Sequence, residues 1–159
     1  MKAMKVRDVM VHDVITIEPS ASLVDAAKRM REANVGVLPV VQDDGTVQGI
    51  ITDRDVVVRA IARNADLGSI AVGDCATADA ICAHPEWDVN RAMEVMAGAQ
   101  VGRLPVVDDD NRLVGIVTLS SLALRARGDR EALQAAKKVS HRSVKGPTEP
   151  TRRSMKKAG

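Results

Sequence analysis

One signature occurs twice in this chain at a fixed distance. Val35-Gly36-Val37-Leu38-Pro39-Val40-Val41 returns 66 residues later as Val101-Gly102-Arg103-Leu104-Pro105-Val106-Val107, and Gly49-Ile50-Ile51-Thr52 returns at the same offset as Gly115-Ile116-Val117-Thr118. The offset also pairs Val6 with Val72, Asp8 with Asp74, Pro19 with Pro85, Ala26 with Ala92 and Met30 with Met96. A solenoid needs about three or more stacked units to bury a continuous face. Two copies therefore predict two units facing each other about a pseudo-twofold axis.

The boundaries follow from the offset and from composition. We expect a first repeat over 6–63, a linker over 64–71, a second repeat over 72–127, a C-terminal helix over 128–139 and a flexible basic tail over 140–159. The tail carries net charge +5 and the remainder −3, so the body is mildly acidic. That balance argues against a nucleic-acid-binding body and leaves only the tail for such a contact. Trp87 is the one aromatic residue, which removes the stacking platform of a single-strand binder and leaves aliphatic side chains to grip any flat ligand. No apolar run approaches a membrane span, and the first residues lack the apolar stretch of a signal peptide, so a cytoplasmic protein is expected. Two cysteines, Cys75 and Cys82, make no disulfide framework.

Each repeat reads strand, helix, strand, strand, helix. Val14-Ile15-Thr16-Ile17 is a short β-rich run, Ser22 opens a helix, and Leu23, Ala26, Ala27 and Met30 share its apolar face. Asp88 caps the counterpart helix, whose face is Val89, Ala92, Met93 and Met96. Residues 42–46 and 108–112 read as hairpin turns. After Thr52 the pattern is helical, with Val56, Val57, Ala60 and Ile61 on one face and Asn64 near the stop.

Where the last strand of each repeat meets its helix, unpaired N–H groups and the positive end of a helix dipole suit a phosphate. Thr52 offers a hydroxyl, Asp55 suits a pair of neutral ribose hydroxyls, and Arg54 offsets charge. Thr52-x-x-Asp55 is equally a capping-box spacing that starts a helix with no ligand. Gly36 with Pro39, and Gly102 with Pro105, bring close backbone approach and a missing donor to a strand entrance, as a cleft wall or as a helix C-cap before an edge strand. Arg103, in place of Val37, is suited to a cleft or an anion. Cys82 and His84 stand two apart, but a zinc site needs more ligands, so no metal is expected. No Ser or Cys sits beside a plausible base, so neither catalytic residues nor an enzyme is expected.

Taken as a set, the tandem repeat, the Val-Gly-x-Leu-Pro-Val-Val strand and the Gly-Ile-Ile-Thr-Asp-Arg-Asp junction resemble the cystathionine β-synthase (CBS) domain over about residues 6–125. The resemblance implies an α+β fold within the broader α/β class: tandem β-α-β-β-α repeats packed as a pseudo-twofold Bateman module. It also implies adenosine nucleotides in two clefts between the repeats. One cleft would use Thr52, Asp55 and Arg54 with Ala80, Val101, Gly102, Arg103 and Pro105. The other would use Thr118 with Val14, Val35, Gly36, Val37 and Pro39, and it carries Ser121 where an Asp is expected. The implied protein is a regulatory sensor with no required cofactor, an adenine nucleotide as regulatory ligand, a homodimeric assembly and a protein partner yet to be identified. Homodimer contacts are expected from Met30, Met93 and Met96.

Overall fold

In the computed structural model, residues 3–125 are described. The expected C-terminal helix and basic tail lie outside them. In chain order the elements are α1 (Val6–Val9), α2 (Leu23–Ala33), β1 (Val37–Val41), β2 (Val47–Thr52), α3 (Asp53–Asp55), α4 (Val72–Cys75), β3 (Thr77–Ala78), α5 (Val89–Ala99), β4 (Arg103–Val107), β5 (Leu113–Thr118) and α6 (Leu119–Arg125). A π-helical turn over Val56–Ala60 and a 3-10 turn over Ile61–Arg63 continue α3.

The two hairpins are copies down to their irregularities. β1 pairs antiparallel with β2 and β4 with β5, and each ladder shifts register at the same place, between Val40 and Val41 and between Val106 and Val107. Gly45 and Asn111, twins at the turns, both take left-handed backbone (φ 86° and 60°), a conformation Gly and Asn tolerate. The hairpin tips then pair with each other. Thr46 bridges Arg112, the Val47 N–H donates to the Asn111 carbonyl at 3.0 Å, and the Leu113 N–H donates to the Gly45 carbonyl at 3.0 Å. The repeat offset joins Thr46 to Arg112 and carries each of the two bonds into the other, Val47 to Leu113 and Gly45 to Asn111, so the pseudo-twofold axis passes through this contact.

The expected strand over 14–17 shrinks to one bridge. The Ile17 N–H donates to the Pro39 carbonyl and the Val41 N–H to the Ile17 carbonyl, both at 3.0 Å. A parallel ladder would continue through the N–H groups of residues 39 and 19, and both are prolines, so it stops there. Ala83 repeats this single bridge on Val106.

The opening segment of each repeat packs in the other half. Val6 and Val9 of α1 are buried with Leu104, Val106, Val117 and Met96, while Val72 and Cys75 of α4 are buried with Leu38, Val40, Ile51 and Met30. The backbone follows suit. The Val6 N–H donates to the Trp87 carbonyl at 2.9 Å, and its twin Val72 donates to Ala21 at 2.7 Å. Val11 bridges β5 at Ile116, and Thr77 pairs with β2 at Ile50. Each fully buried Leu or Ile in these half-cores contributes roughly 1.5–3 kcal/mol.

Several expected details differ. Ala27 is exposed, because the stripe of α2 that faces the core is Leu23, Ala26 and Met30. Val57 and Ile61 are exposed, because the π turn rotates them away while Val56 and Ala60 stay buried. Asp88 holds the N-cap position of α5 without a side-chain cap; its carboxylate meets the Lys5 ammonium at 3.0 Å instead. Met30, Met93 and Met96 lie inside the chain's own half-cores, so they are not surface contacts.

Candidate functional site

The site begins where β2 ends. Thr52 has extended backbone, its Oγ1 accepts the Asp55 N–H at 3.0 Å, and Asp55 Oδ2 accepts the Thr52 N–H at 3.0 Å. The capping box is thus complete, and Thr52 keeps its O–H for another acceptor. The Arg59 Nε lies 3.6 Å from Asp55 Oδ1, and its Nη1 donates to the Cys75 carbonyl at 3.2 Å. A carboxylate offers about four acceptor positions, so Asp55 retains capacity for a further donor.

In the twin junction a serine performs the same capping. The Ser121 N–H donates to Thr118 Oγ1 at 3.0 Å and the Thr118 N–H donates to Ser121 Oγ at 3.1 Å. The Ser121 hydroxyl also donates to the Thr118 carbonyl at 2.8 Å. Its single hydrogen is therefore already engaged. The two junctions match in local structure and differ in charge and in spare hydrogen-bonding capacity.

Between the hairpins lies a cavity of about 260 Å³ lined by Gly36, Val37, Pro39, Ile50, Thr52, Val101, Gly102, Arg103, Pro105 and Ile116. Four of its wall pairs are twins: Gly36 and Gly102, Val37 and Arg103, Pro39 and Pro105, Ile50 and Ile116. Thr52 and Val101 line it, whereas their twins Thr118 and Val35 do not. Arg54, Asp55, Ala80, Ser121 and Val14 also stand outside this wall. The cavity is thus skewed toward the Thr52 junction. The sequence reading missed Ile50 and Ile116, although the two-residue period of a strand places Ile50 on the face that carries Thr52.

The glycines here serve close approach. The helix C-caps are Asn34 and Gln100, with φ of 53° and 56°, not Gly36 and Gly102. A Cβ on Gly36 would stand 2.8 Å from Asp53 Oδ2, and the Asp53 N–H donates to the Gly36 carbonyl at 2.9 Å. Leu119, the twin of Asp53, donates likewise to Gly102 at 2.8 Å. One mouth therefore carries a carboxylate and the other an aliphatic side chain. Across the cavity, Arg103 is exposed, and among the described residues its side chain forms no ion pair or hydrogen bond. The Arg54 side chain is exposed beside Asp53.

Behind the Thr52 junction, the Cys75 Sγ donates to the Asp55 carbonyl at 3.6 Å. Burial first, and the nearby Asp55 charge second, push this thiol above its usual range, and burial does the same to Cys82. Among the described residues no group of three or more His, Cys, Asp or Glu could hold a metal ion, and no helix is long and apolar enough to cross a membrane.

Two hairpins related by a pseudo-twofold axis, with a cavity on that axis, define a paired-repeat module. This chain belongs to the CBS domain family, whose model matches residues 6–61 and 72–127. It is 35% identical over 139 residues to the CBS domain-containing protein YhcV of Bacillus subtilis (strain 168), covering 87% of this chain and 97% of that one. Among solved structures it is similar to Hypoxic Response Protein I with two coordinated zinc ions (33% identity, TM-score 0.70, 76% of this chain and 98% of that one). It is also similar to the CBS domain pair of MJ0100 in complex with 5'-methylthioadenosine and S-adenosyl-L-methionine (31%, TM-score 0.69, 78% and 96%). A third, CBSX2 in complex with AMP, matches at 27% identity and TM-score 0.69, over 77% and 95%.

Proposed function

We propose that this chain is a regulatory module that binds an adenosine nucleotide in the cavity between its repeats and performs no reaction of its own. The observation that carries this reading is the cavity wall itself: paired Gly and Pro backbone for a base, the Thr52 hydroxyl, and the exposed Arg103 guanidinium. The Thr52 O–H and Arg103 serve the phosphate. Asp55 accepts from the ribose hydroxyls with the capacity its capping role leaves over, and Arg54 offsets charge at the mouth. Ala80, Val101, Gly102 and Pro105 surround the base. Thr118 and Ser121, with Val14, Val35, Gly36, Val37 and Pro39, form the weaker counterpart.

The AMP and S-adenosylmethionine complexes of similar proteins support the ligand class. A homodimer in the cytoplasm fits the exposed twin positions Val58 and Leu124, on the helices that follow β2 and β5, and the bound state signals to a protein partner by a change of shape or assembly. Nucleic acid enters only through the basic tail.

Symmetry supplies the decisive variant. Asp55→Ser should keep the cap, as Ser121 does, and remove the carboxylate. A charge-assisted hydrogen bond exceeds a neutral one by about 1–1.5 kcal/mol, or roughly tenfold in affinity. Calorimetric titration with AMP, ATP and S-adenosylmethionine should therefore give about tenfold weaker binding in Asp55→Ser at an unchanged melting temperature. Unchanged affinity would remove Asp55 from the site. The capping box also favours a second reading, an interaction module whose clefts no longer bind, and failure of all three ligands to bind the wild type would establish it.

A further inference from the structure

We infer that the groove where the first repeat runs into the second is a further ligand site, which takes an aliphatic α-amino acid as its zwitterion. The groove encloses about 400 Å³ and is lined by Arg59, Ala60, Arg63, Ile70, Asp74 and Cys75. That volume falls within the range of about 300 to 1,000 Å³ usual for small-molecule sites. It shares no wall residue with the cavity between the hairpins, so the inference stands apart from the nucleotide reading.

The charges of this wall divide into those the fold has used and those it has not. The Arg59 Nε lies 3.6 Å from Asp55 Oδ1 and its Nη1 donates to the Cys75 carbonyl at 3.2 Å, so this cation is balanced within the chain. Arg63 and Asp74 are exposed on the same groove, and among the described residues neither side chain forms an ion pair or a hydrogen bond. Asp74 is also released from the duty of its twin. Asp8 Oδ2 accepts the Lys5 N–H at 2.9 Å and completes a capping box at α1, whereas α4, which holds Asp74, has no side-chain cap. In the sequence the repeat offset sets Asp129 against Arg63, so the offset does not reproduce this pairing of a cation with a carboxylate.

Electrostatics then selects the ligand class. A simple anion drawn to Arg63 meets the Asp74 carboxylate, and a simple cation drawn to Asp74 meets two guanidinium groups. A zwitterion satisfies both, because its carboxylate accepts from the Arg63 fork while its ammonium donates to Asp74. Ile70, Ala60 and the Cys75 thiol give the same space an apolar surface against which an aliphatic side chain rests. Since Arg63 and Asp74 are exposed, solvent screens each of them, and affinity depends on engaging both at once.

Saturation-transfer NMR of the full chain with L-leucine, L-isoleucine, L-valine and L-methionine tests this. We expect saturable binding of at least one of the four with a Kd of about 1 mM or tighter. Its N-acetyl derivative, which lacks the ammonium, and its methyl ester, which lacks the carboxylate, should each bind about tenfold more weakly. Arg63→Gln and Asp74→Asn, whose folding a melting curve checks, should each weaken the same amino acid by about tenfold. Binding of none of the four would overturn the site. Equal binding of either derivative would overturn the zwitterion, since one charge would then suffice. Binding of inorganic phosphate in place of the amino acids would make the groove an anion site, and unchanged affinity in either variant would put the amino acid elsewhere; each of these results overturns the inference.

Discussion

Gly49→Ala tests whether the crossing of the two repeats holds the fold together. A Cβ on Gly49 would stand 2.3 Å from the Thr77 carbonyl oxygen and 3.1 Å from its carbon. Ordinary contact begins near 3.4 Å, so the backbone of β3 must retreat by about 1 Å. Two residue pairs join β3 to β2, Gly49 with Ala78 and Ile50 with Thr77, and neither survives that displacement. Two lost hydrogen bonds cost about 1–3 kcal/mol, and disturbing the buried Val72 and Cys75 just upstream adds about 1–3 kcal/mol of overpacking. The lower entropy of alanine in the unfolded chain returns about 0.4–1 kcal/mol. The net loss is about 2–4 kcal/mol, a fall in melting temperature of roughly 5–15 °C for a chain of this size. At the twin position the conflict is milder. A Cβ on Gly115 would meet the Val11 carbonyl oxygen at 2.9 Å and the movable Met10 side chain at 3.0 Å. Gly115→Ala should therefore lose less than half as much. Calorimetric melting of both variants checks the order, and Gly49→Ala melting within about 2 °C of wild type, or above Gly115→Ala, would refute the reasoning.

Three further outcomes are expected. Asp55→Ala should lose about 0.5–2 kcal/mol of stability by removing half of a capping box, while Asp55→Ser should lose almost none, and chemical denaturation distinguishes them. Val6→Ala should destabilise by about 1.5–3 kcal/mol, as much as Val72→Ala despite its place near the start of the chain, since both side chains are fully buried; urea unfolding followed by Trp87 fluorescence reads this. The raised Cys75 and Cys82 thiols should label slowly at neutral pH. Because their protonated forms are favoured in the fold, the stability they contribute is complete below the free-thiol range of about 8.5 and is lost as pH rises above it. Melting temperatures across pH 7–10 should fall at the alkaline end, less steeply in Cys75→Ala.

Local chemistry made much of this legible. The offset of 66 located both hairpins, their turns and the helices α2 and α5, because those elements depend on residues close in sequence. Pro19 and Pro39 carried the information that residues 14–17 could not extend a ladder, but only once their pairing partner was known. Lys5 drawing away the Asp88 carboxylate, and α1 packing under Trp87, join residues more than 80 apart and leave no local trace. The π turn after α3 has no counterpart in α6, which is why Val57 and Ile61 face outward where periodicity put them inside. At the site, Thr52, Gly36, Pro39, Gly102, Arg103 and Pro105 could be named from the repeat signatures. The way their surroundings meet could not, since it depends on how closely the hairpins approach.

The reciprocal bonds at the hairpin tips, Val47 to Asn111 and Leu113 to Gly45, are those that two identical chains make across a true twofold axis. The chain is in this sense a dimer whose subunits have been joined end to end, each still lending its first helix to the other. Identical subunits must change both copies of a residue at once, so every gain on one side of the axis is imposed on the other. A single covalent chain is free of that rule. Arg103 against Val37, Asp53 against Leu119 and Asp55 against Ser121 are divergences that only such a fusion permits, and they give a symmetric scaffold a front and a back.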